Sequence, residues 1–463
     1  MLQIFSELYA ISILHRASLF LKTWREGYNL DFSPPSIVDR LEETLVAARR
    51  AYAKGLPRRA AKHAREALIL AMKARRYLEG LEAASILMEA AISTDIDARD
   101  VVRSYAMTRK LYKHARREGA RRADELYASI LRSFLLYSLG EALSGSELVG
   151  AVVDEVASKA LSLASRLRED DRLRTIVLAG QARALMAMRW GELKRARSIL
   201  EKLERIIDSE GDVLGGEEVE FAALVQDELA DIALREGVIE EALARYKAAA
   251  EMRVNRSAPV EAASSMVGAL ICMVLMADEP SDFERVLESE IAGVSLGEAV
   301  DELAEAGLWL REAQARMVRL ACLIALGRDE DAVMDAREGL EESMEVGSEY
   351  LSAMYIASLS YANILAGGSS GSLRGLNLAS SMLSRLDEGA TLVLSALTSL
   401  STYYMGEVSA SRLRTELSYI ARRLRYLNYG YREVVVREVE EALSRSSQER
   451  LMRLRGVKLL VVI

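Results

Sequence analysis

A glycine followed five residues later by an alanine recurs along this chain and limits what it can fold into. Gly191 and Ala196 stand in Arg-Trp-Gly-Glu-Leu-Lys-Arg-Ala, and the pair returns as Gly237 and Ala242, as Gly327 and Ala332, and as Gly55 and Ala60. The intervals between these glycines are 136, 46 and 90 residues, about three, one and two steps of roughly 45, and a fixed period in that range is the signature of a helical repeat array. Glycine is favoured just past a helix C-terminus, where the chain turns left-handed without a Cβ clash. The alanine then falls in the first turns of the next helix and lets the two axes approach. Acidic residues between them, Glu240 and Glu241 or Asp329, Glu330 and Asp331, complement the positive end of that second helix.

Where the pair is missing, the apolar periodicity still breaks near the expected places: around Thr94 to Asp97, Ser144 to Ser146, Asp278 to Ser281, Gly367 to Ser372 and Met405 to Ser409. These breaks and the four glycine turns predict about nine antiparallel helical hairpins, each helix roughly 18 to 20 residues long. Five prolines and abundant Ala, Leu, Arg and Glu leave little room for sheets. The expected fold class is therefore all-α, an α-solenoid. Such an array grows by nearest-neighbour interfaces rather than around a single core. Methionines such as Met266, Met273 and Met276 read as gap fillers between the stacked hairpins.

The stretch from Leu229 to Met252, with Ala230, Ala233, Gly237, Ala242, Tyr246 and Ala249 at the small and aromatic positions, resembles a tetratricopeptide repeat. Gly191 with Ala184, Ala196 and Leu200 is a second match, and the units at Gly55 and Gly327 match chiefly at the turn. The standard repeat is about 34 residues long. Units here are about ten longer and mostly lack its early tryptophan and closing proline, so the likeness is to a tetratricopeptide-like, long-helix variant with a period of about 44. It implies a right-handed superhelix that presents an extended surface to a protein or peptide.

Three regions follow: residues 1–35 as an N-terminal capping helix and linker, 36–429 as the repeat array, and 430–463 as a last helix and a short apolar, β-prone tail. The tail, Val457 and Leu459 to Ile463, is expected either to fold back as a cap or to pair with a strand of another chain. Met1 to Leu21 carries Glu7, His15 and Arg16, which fits neither a signal peptide nor a membrane span. Cys272 and Cys322 have apolar neighbours and no metal-type spacing; they read as buried thiols of a cytoplasmic protein. Arginine outnumbers lysine by 50 to 11, while asparagine and glutamine total 10. That balance of many ion-pairing residues and few labile amides suggests a thermophile.

Enzyme chemistry finds little footing. Gly367, Ser369 and Gly371 spell Gly-x-Ser-x-Gly, but the flanks are helical rather than a strand leading into a helix. The only histidines, His15, His63 and His114, all precede that serine, whereas the hydrolase order places its histidine after it. The same loop lacks the lysine of a P-loop. An (α/α) toroid acting on sugars would use paired carboxylates, yet three tryptophans and ten amides supply few sugar-binding groups. A non-enzymatic chain with no cofactor and no metal is expected.

The formal net charge of −8 hides strong segregation. From Ala48 to Arg122 there are 19 basic and 8 acidic residues, while Glu210 to Glu345 holds 11 basic and 32 acidic. Arg99, Arg103, Lys110, Lys113 and Arg117 fall within about 40° of one line at 100° per residue, a candidate binding stripe on one helix face. A second basic group runs from Arg49 and Arg50 through Arg58, Arg59, Lys62 and Arg65. The first functional expectation is a protein-protein interaction scaffold for a protein or peptide partner. The alternative is a nucleic-acid-binding or regulatory protein using the basic N-terminal repeats. A homo-oligomer formed through charge-complementary repeats or the C-terminal tail is a further expectation; no membrane partner is expected.

Overall fold

All five prolines of this chain stand in the first turn of a helix, the position where a missing N–H leaves no bond unmade and φ is already helical. The computed structural model describes residues 34–92, 98–117, 121–144, 147–214, 217–367, 370–427 and 429–463. The capping helix expected in 1–35 and the turn at Thr94 to Asp97 thus lie almost wholly outside the described residues. Four helix pairs open the chain: α1 (Pro34–Ala53) with α2 (Pro57–Ala74), α3 (Tyr77–Ile92) with α4 (Ala98–Arg117), α5 (Arg121–Ser144) with α6 (Glu147–Ala164), and α7 (Glu169–Arg189) with α8 (Leu193–Glu210). Then come α9 (Glu218–Glu236) with α10 (Ile239–Val254), and α11 (Pro259–Met276) with the shorter α12 (Pro280–Leu287) and α13 (Leu296–Glu305). The last pairs are α14 (Trp309–Ala325) with α15 (Asp329–Val346), α16 (Glu349–Leu365) with α17 (Ser370–Leu383), and α18 (Glu388–Tyr404) with α19 (Ala410–Tyr426). After α20 (Gly430–Ala442) the chain closes with a helical turn at Gln448–Arg450, a π-helical stretch at Leu451–Gly456 and an α-helical turn at Val457–Val461.

The glycine and alanine spacing works as its chemistry requires. Gly191 and Gly237 take φ of 75° and 80°, in the left-handed region where a side chain would be strained. Ala60, Ala196, Ala242 and Ala332 are all fully buried where the second helix of a pair meets the first. In the second half the pairs begin at Glu218, Pro259, Trp309, Glu349 and Glu388, mostly about 40 residues apart. The long interval after Pro259 contains a two-stranded ribbon absent from the sequence reading, β1 (Glu290–Ile291) paired antiparallel with β2 (Val294–Ser295). Ala292 and Gly293 between the strands both have positive φ, the geometry of a tight hairpin turn.

Contacts divide the chain into two compact units, residues 1–218 and 219–463. In each unit, first helices pack on first helices: α1, α3, α5 and α7 in turn, and separately α11, α14, α16, α18 and α20. Sequence dictates which helix takes which place. α8 buries only Ala196, Leu200, Leu203 and Ile207, one stripe at helical spacing with charge elsewhere, as an outer helix does. α11 and α16 bury residues around their whole circumference, which only an inner helix can do. Of the described helices, α11 alone is long and apolar enough to cross a membrane, and 67% of it is buried inside its unit.

The expected β-prone tail differs most from the structure. Val457–Val461 is helical, and Val457, Leu459, Leu460, Val462 and Ile463 are buried in the second unit. It folds back on its own chain and offers no strand edge to another. Propensity differences of a few tenths of a kcal/mol per residue are small beside the burial of each such side chain, about 1.5 to 3 kcal/mol.

Candidate functional site

The inner face of the second unit is built from α11, α14, α16, α18 and α20, and the closing segment 448–463 lies against all five. Side chains of this face address the segment's main chain. The Tyr361 hydroxyl donates to the Met452 carbonyl at 2.8 Å, and the Arg432 guanidinium donates to the carbonyls of Val462 and Ile463 at 2.8 and 2.7 Å. The Tyr350 hydroxyl reaches the Ile463 carbonyl at 3.2 Å. Arg432 is 5% exposed and is itself held by Asp387, 3.1 Å away. These bonds all go to main-chain carbonyls rather than to side chains of the segment.

Specific recognition runs the other way, from the segment's cations to the groove. Arg453 forms a two-pronged pair with Asp329 at 2.7 and 2.8 Å and donates to the Ile324 carbonyl at 2.9 Å. Hydrogen bonding to Asp329 raises its pKa further above an already high value. Asp329, read from sequence only as a dipole partner at the start of α15, therefore has a second role. Lys458 is 1% exposed; its ammonium donates to the Leu275 carbonyl at 2.7 Å and to Glu438 at 2.8 Å, with Asp278 at 3.7 Å. Burial pushes its pKa down, against the pull of Glu438. Arg455 pairs with Asp278 and Arg450 with Glu279.

The apolar and entropic contributions to this docking nearly cancel. Leu451, Met452, Leu454, Val457, Leu459, Leu460, Val462 and Ile463 are buried, which at about 2.5 kcal/mol each stabilises docking by about 20 kcal/mol. Ordering residues 448–463 costs about 24 kcal/mol at about 1.5 each. The polar anchors decide whether the segment stays.

The sequence-predicted stripe occupies the first unit. Arg99, Arg103, Lys110, Lys113 and Arg117 all lie on α4 and are exposed. Arg65 of α2 bonds Asp100 of α4 at 2.8 Å, so the second basic group and the stripe adjoin. Together α2 and α4 carry twelve lysines and arginines against two acids. Both acids are engaged, Asp100 by Arg65 and, at 3.7 Å, Arg103, and Glu66 by Arg40 at 2.5 Å. Arg59, Lys62, Lys110, Lys113 and Arg117 form no hydrogen bond or ion pair with any described residue. The aromatic rings nearby are occupied: Tyr77 stacks on His114 and Tyr112 on Tyr127.

Ser369 of the Gly-x-Ser-x-Gly stretch lies outside the described residues. Cys272 and Cys322 are free and buried, and burial pushes both thiols up to about 12. Tyr361 and Arg432 of the inner face and Lys458 of the segment were missed from sequence. Their one visible signal was a lysine set inside the apolar run Val457–Ile463, which reads as a defect in a strand and as an anchor in a buried helix.

No protein-family model matches this chain. No curated protein matches it either. Among solved structures the chain is similar to the aspartyl phosphate phosphatase F of Bacillus subtilis, at 12% identity and a TM-score of 0.45 over 91% of this chain and 97% of that one. It is also similar to a circular tandem repeat protein with a novel repeat topology, at 15% identity and a TM-score of 0.22 over 93% of this chain and 96% of that one. At those scores the description of the fold rests on the helix packing of this chain itself.

Proposed function

We propose that this chain is a non-catalytic, tetratricopeptide-like scaffold of the long-helix kind, acting in the cytoplasm and binding a protein or peptide partner. One observation carries the reading: the inner face of the second unit holds a polypeptide segment through side chains that donate to its main-chain carbonyls, Tyr361, Tyr350 and Arg432. That is how a surface made for peptides behaves. Affinity capture of the tagged full chain, with and without nuclease, tests it. The reading expects a defined protein that stays bound after nuclease; recovery of nothing but nucleic acid would overturn it.

A second reading is favoured by the basic character of α2 and α4, which carry twelve cations against two engaged acids. Five cations without partners among the described residues suit a phosphate backbone, and the rings of α4 itself, Tyr105, Tyr112 and His114, each pack against another ring. Such a site binds without regard to sequence, with a slope of log affinity against log salt on the order of −4 for duplex. Changing Arg103, Lys110 and Lys113 to Glu removes duplex binding on this reading. Binding that survives with the same salt slope places the site elsewhere.

A further inference from the structure

The closing segment is no member of the repeat. Its partners lie far back in the chain, 124 residues away for Arg453 and Asp329 and 183 for Lys458 and Leu275, so its docking closes the longest loops in the unit. Segments of a folded chain can open as cooperative units of their own, below the free energy of global unfolding. The joint to α20 is a polar turn, Ser444 to Ser447, largely exposed. Two of the inner helices it covers, α11 and α16, bury residues around their whole circumference; bare, their apolar side chains would present a surface of the kind that proteins keep for binding. The segment carries Arg450, Arg453, Arg455 and Lys458 against a single acid, Glu449. The groove meets them with Glu279, Asp329, Asp278 and Glu438.

We propose that segment 448–463 is an internal ligand of this face, and that a partner protein docks there by displacing it with a helix of the same chemistry. Such a helix is short, apolar on the side facing α11, α14, α16 and α18, and basic where Asp329 and the Asp278 and Glu438 pair await it. The proposal rests on the protein-binding reading and adds the class of partner and its control. While the segment is docked, a partner sees only the fraction of molecules in which it is open, and its apparent affinity falls by that fraction. Loosening the segment without harming the groove therefore tightens partner binding.

The probe is a fluorescein-labelled synthetic peptide of residues 447–463, titrated into the full chain by anisotropy. Arg453→Glu repels the chain's own segment from Asp329, while the probe keeps its arginine. It is expected to bind the variant at least about tenfold more tightly than the unsubstituted chain. Adding Asp329→Arg should remove that gain, because the probe's arginine then meets an arginine. Equal affinity for the variant and the unsubstituted chain would overturn the proposal. If Arg453→Glu fails to fold, hydrogen exchange on the unsubstituted chain decides. Amides 451–461 should exchange while α11, α14 and α16 stay protected; exchange of the segment only together with those helices would overturn it. A nuclease-resistant protein partner recovered alongside a failed peptide test would leave the scaffold reading intact and move its site to another face.

Discussion

Replacing Glu438 with alanine isolates what holds Lys458, and hence the closing segment, in place. The Lys458 ammonium is 1% exposed and spends its donors on the Leu275 carbonyl at 2.7 Å and Glu438 at 2.8 Å. Breaking a fully buried ion pair by removing one partner costs about 3 to 5 kcal/mol. Two features lower that here: Glu438 is 32% exposed, and Asp278 remains 3.7 Å from the ammonium. A loss of about 2 kcal/mol at pH 7 is expected. Its pH dependence has a definite sign. Burial lowers the Lys458 pKa in the folded chain and Glu438 raises it, so deleting Glu438 lowers it further. Between that lowered value and the ordinary one the unfolded chain binds more protons than the folded chain, and stability rises with pH. The deficit of Glu438→Ala relative to the unsubstituted chain should therefore shrink as pH rises toward the ordinary lysine range. Hydrogen exchange of amides 451–461 across a urea series, at pH 7 and again near pH 10, reads this directly. A deficit equal at both pH values, or none at pH 7, would refute the role given to Lys458.

Three further outcomes follow from the packing. At Gly268 an added Cβ would sit 2.6 Å from the buried Tyr246 ring, whose hydroxyl is tied to Asp231; Gly268→Ala should cost about 2 to 3 kcal/mol in thermal or urea unfolding, and a neutral result would show that α10 and α11 are looser than described. Arg253 is 3% exposed and donates to Asp227, Glu220 and Ser265, so Arg253→Ala leaves the Asp227 carboxylate largely buried and uncompensated, at a cost of about 3 kcal/mol measurable by the same titration. Cys272 and Cys322, both buried with thiols pushed up to about 12, should resist a thiol reagent in the native chain and react fully in denaturant; rapid native labelling would contradict their burial.

Much of the scaffold was legible because its signals are local. A glycine that must turn left-handed and an alanine that must fit under a neighbouring helix act within five residues, and Gly237 with Ala242 sit as that logic requires. The division into inner and outer helices was equally open to reading, since α11 is apolar around its circumference and α8 only along one stripe. The closing segment was not. A short run such as Val457–Val461, apolar but for Lys458, does not distinguish strand from helix by periodicity, and several of its partners, Leu275 and Asp278 among them, stand more than a hundred positions earlier. Asp329 shows the same limit: its place at a helix start is local, whereas its bond to Arg453 is a fact of folding. The basic stripe was legible as a face of α4, but its continuity with α2 appears only through the Arg65–Asp100 bond.

The central claim is that the inner face of the second unit is a peptide-binding surface occupied by the chain's own segment. A photo-reactive phenylalanine analogue at Tyr350, whose hydroxyl touches the Ile463 carbonyl, tests it most directly. In the isolated chain the crosslink should fall on the peptide containing Val462 and Ile463, and with a captured protein partner bound it should move to that partner. A crosslink outside residues 448–463 in the isolated chain, or one unmoved by the partner, would contradict the account.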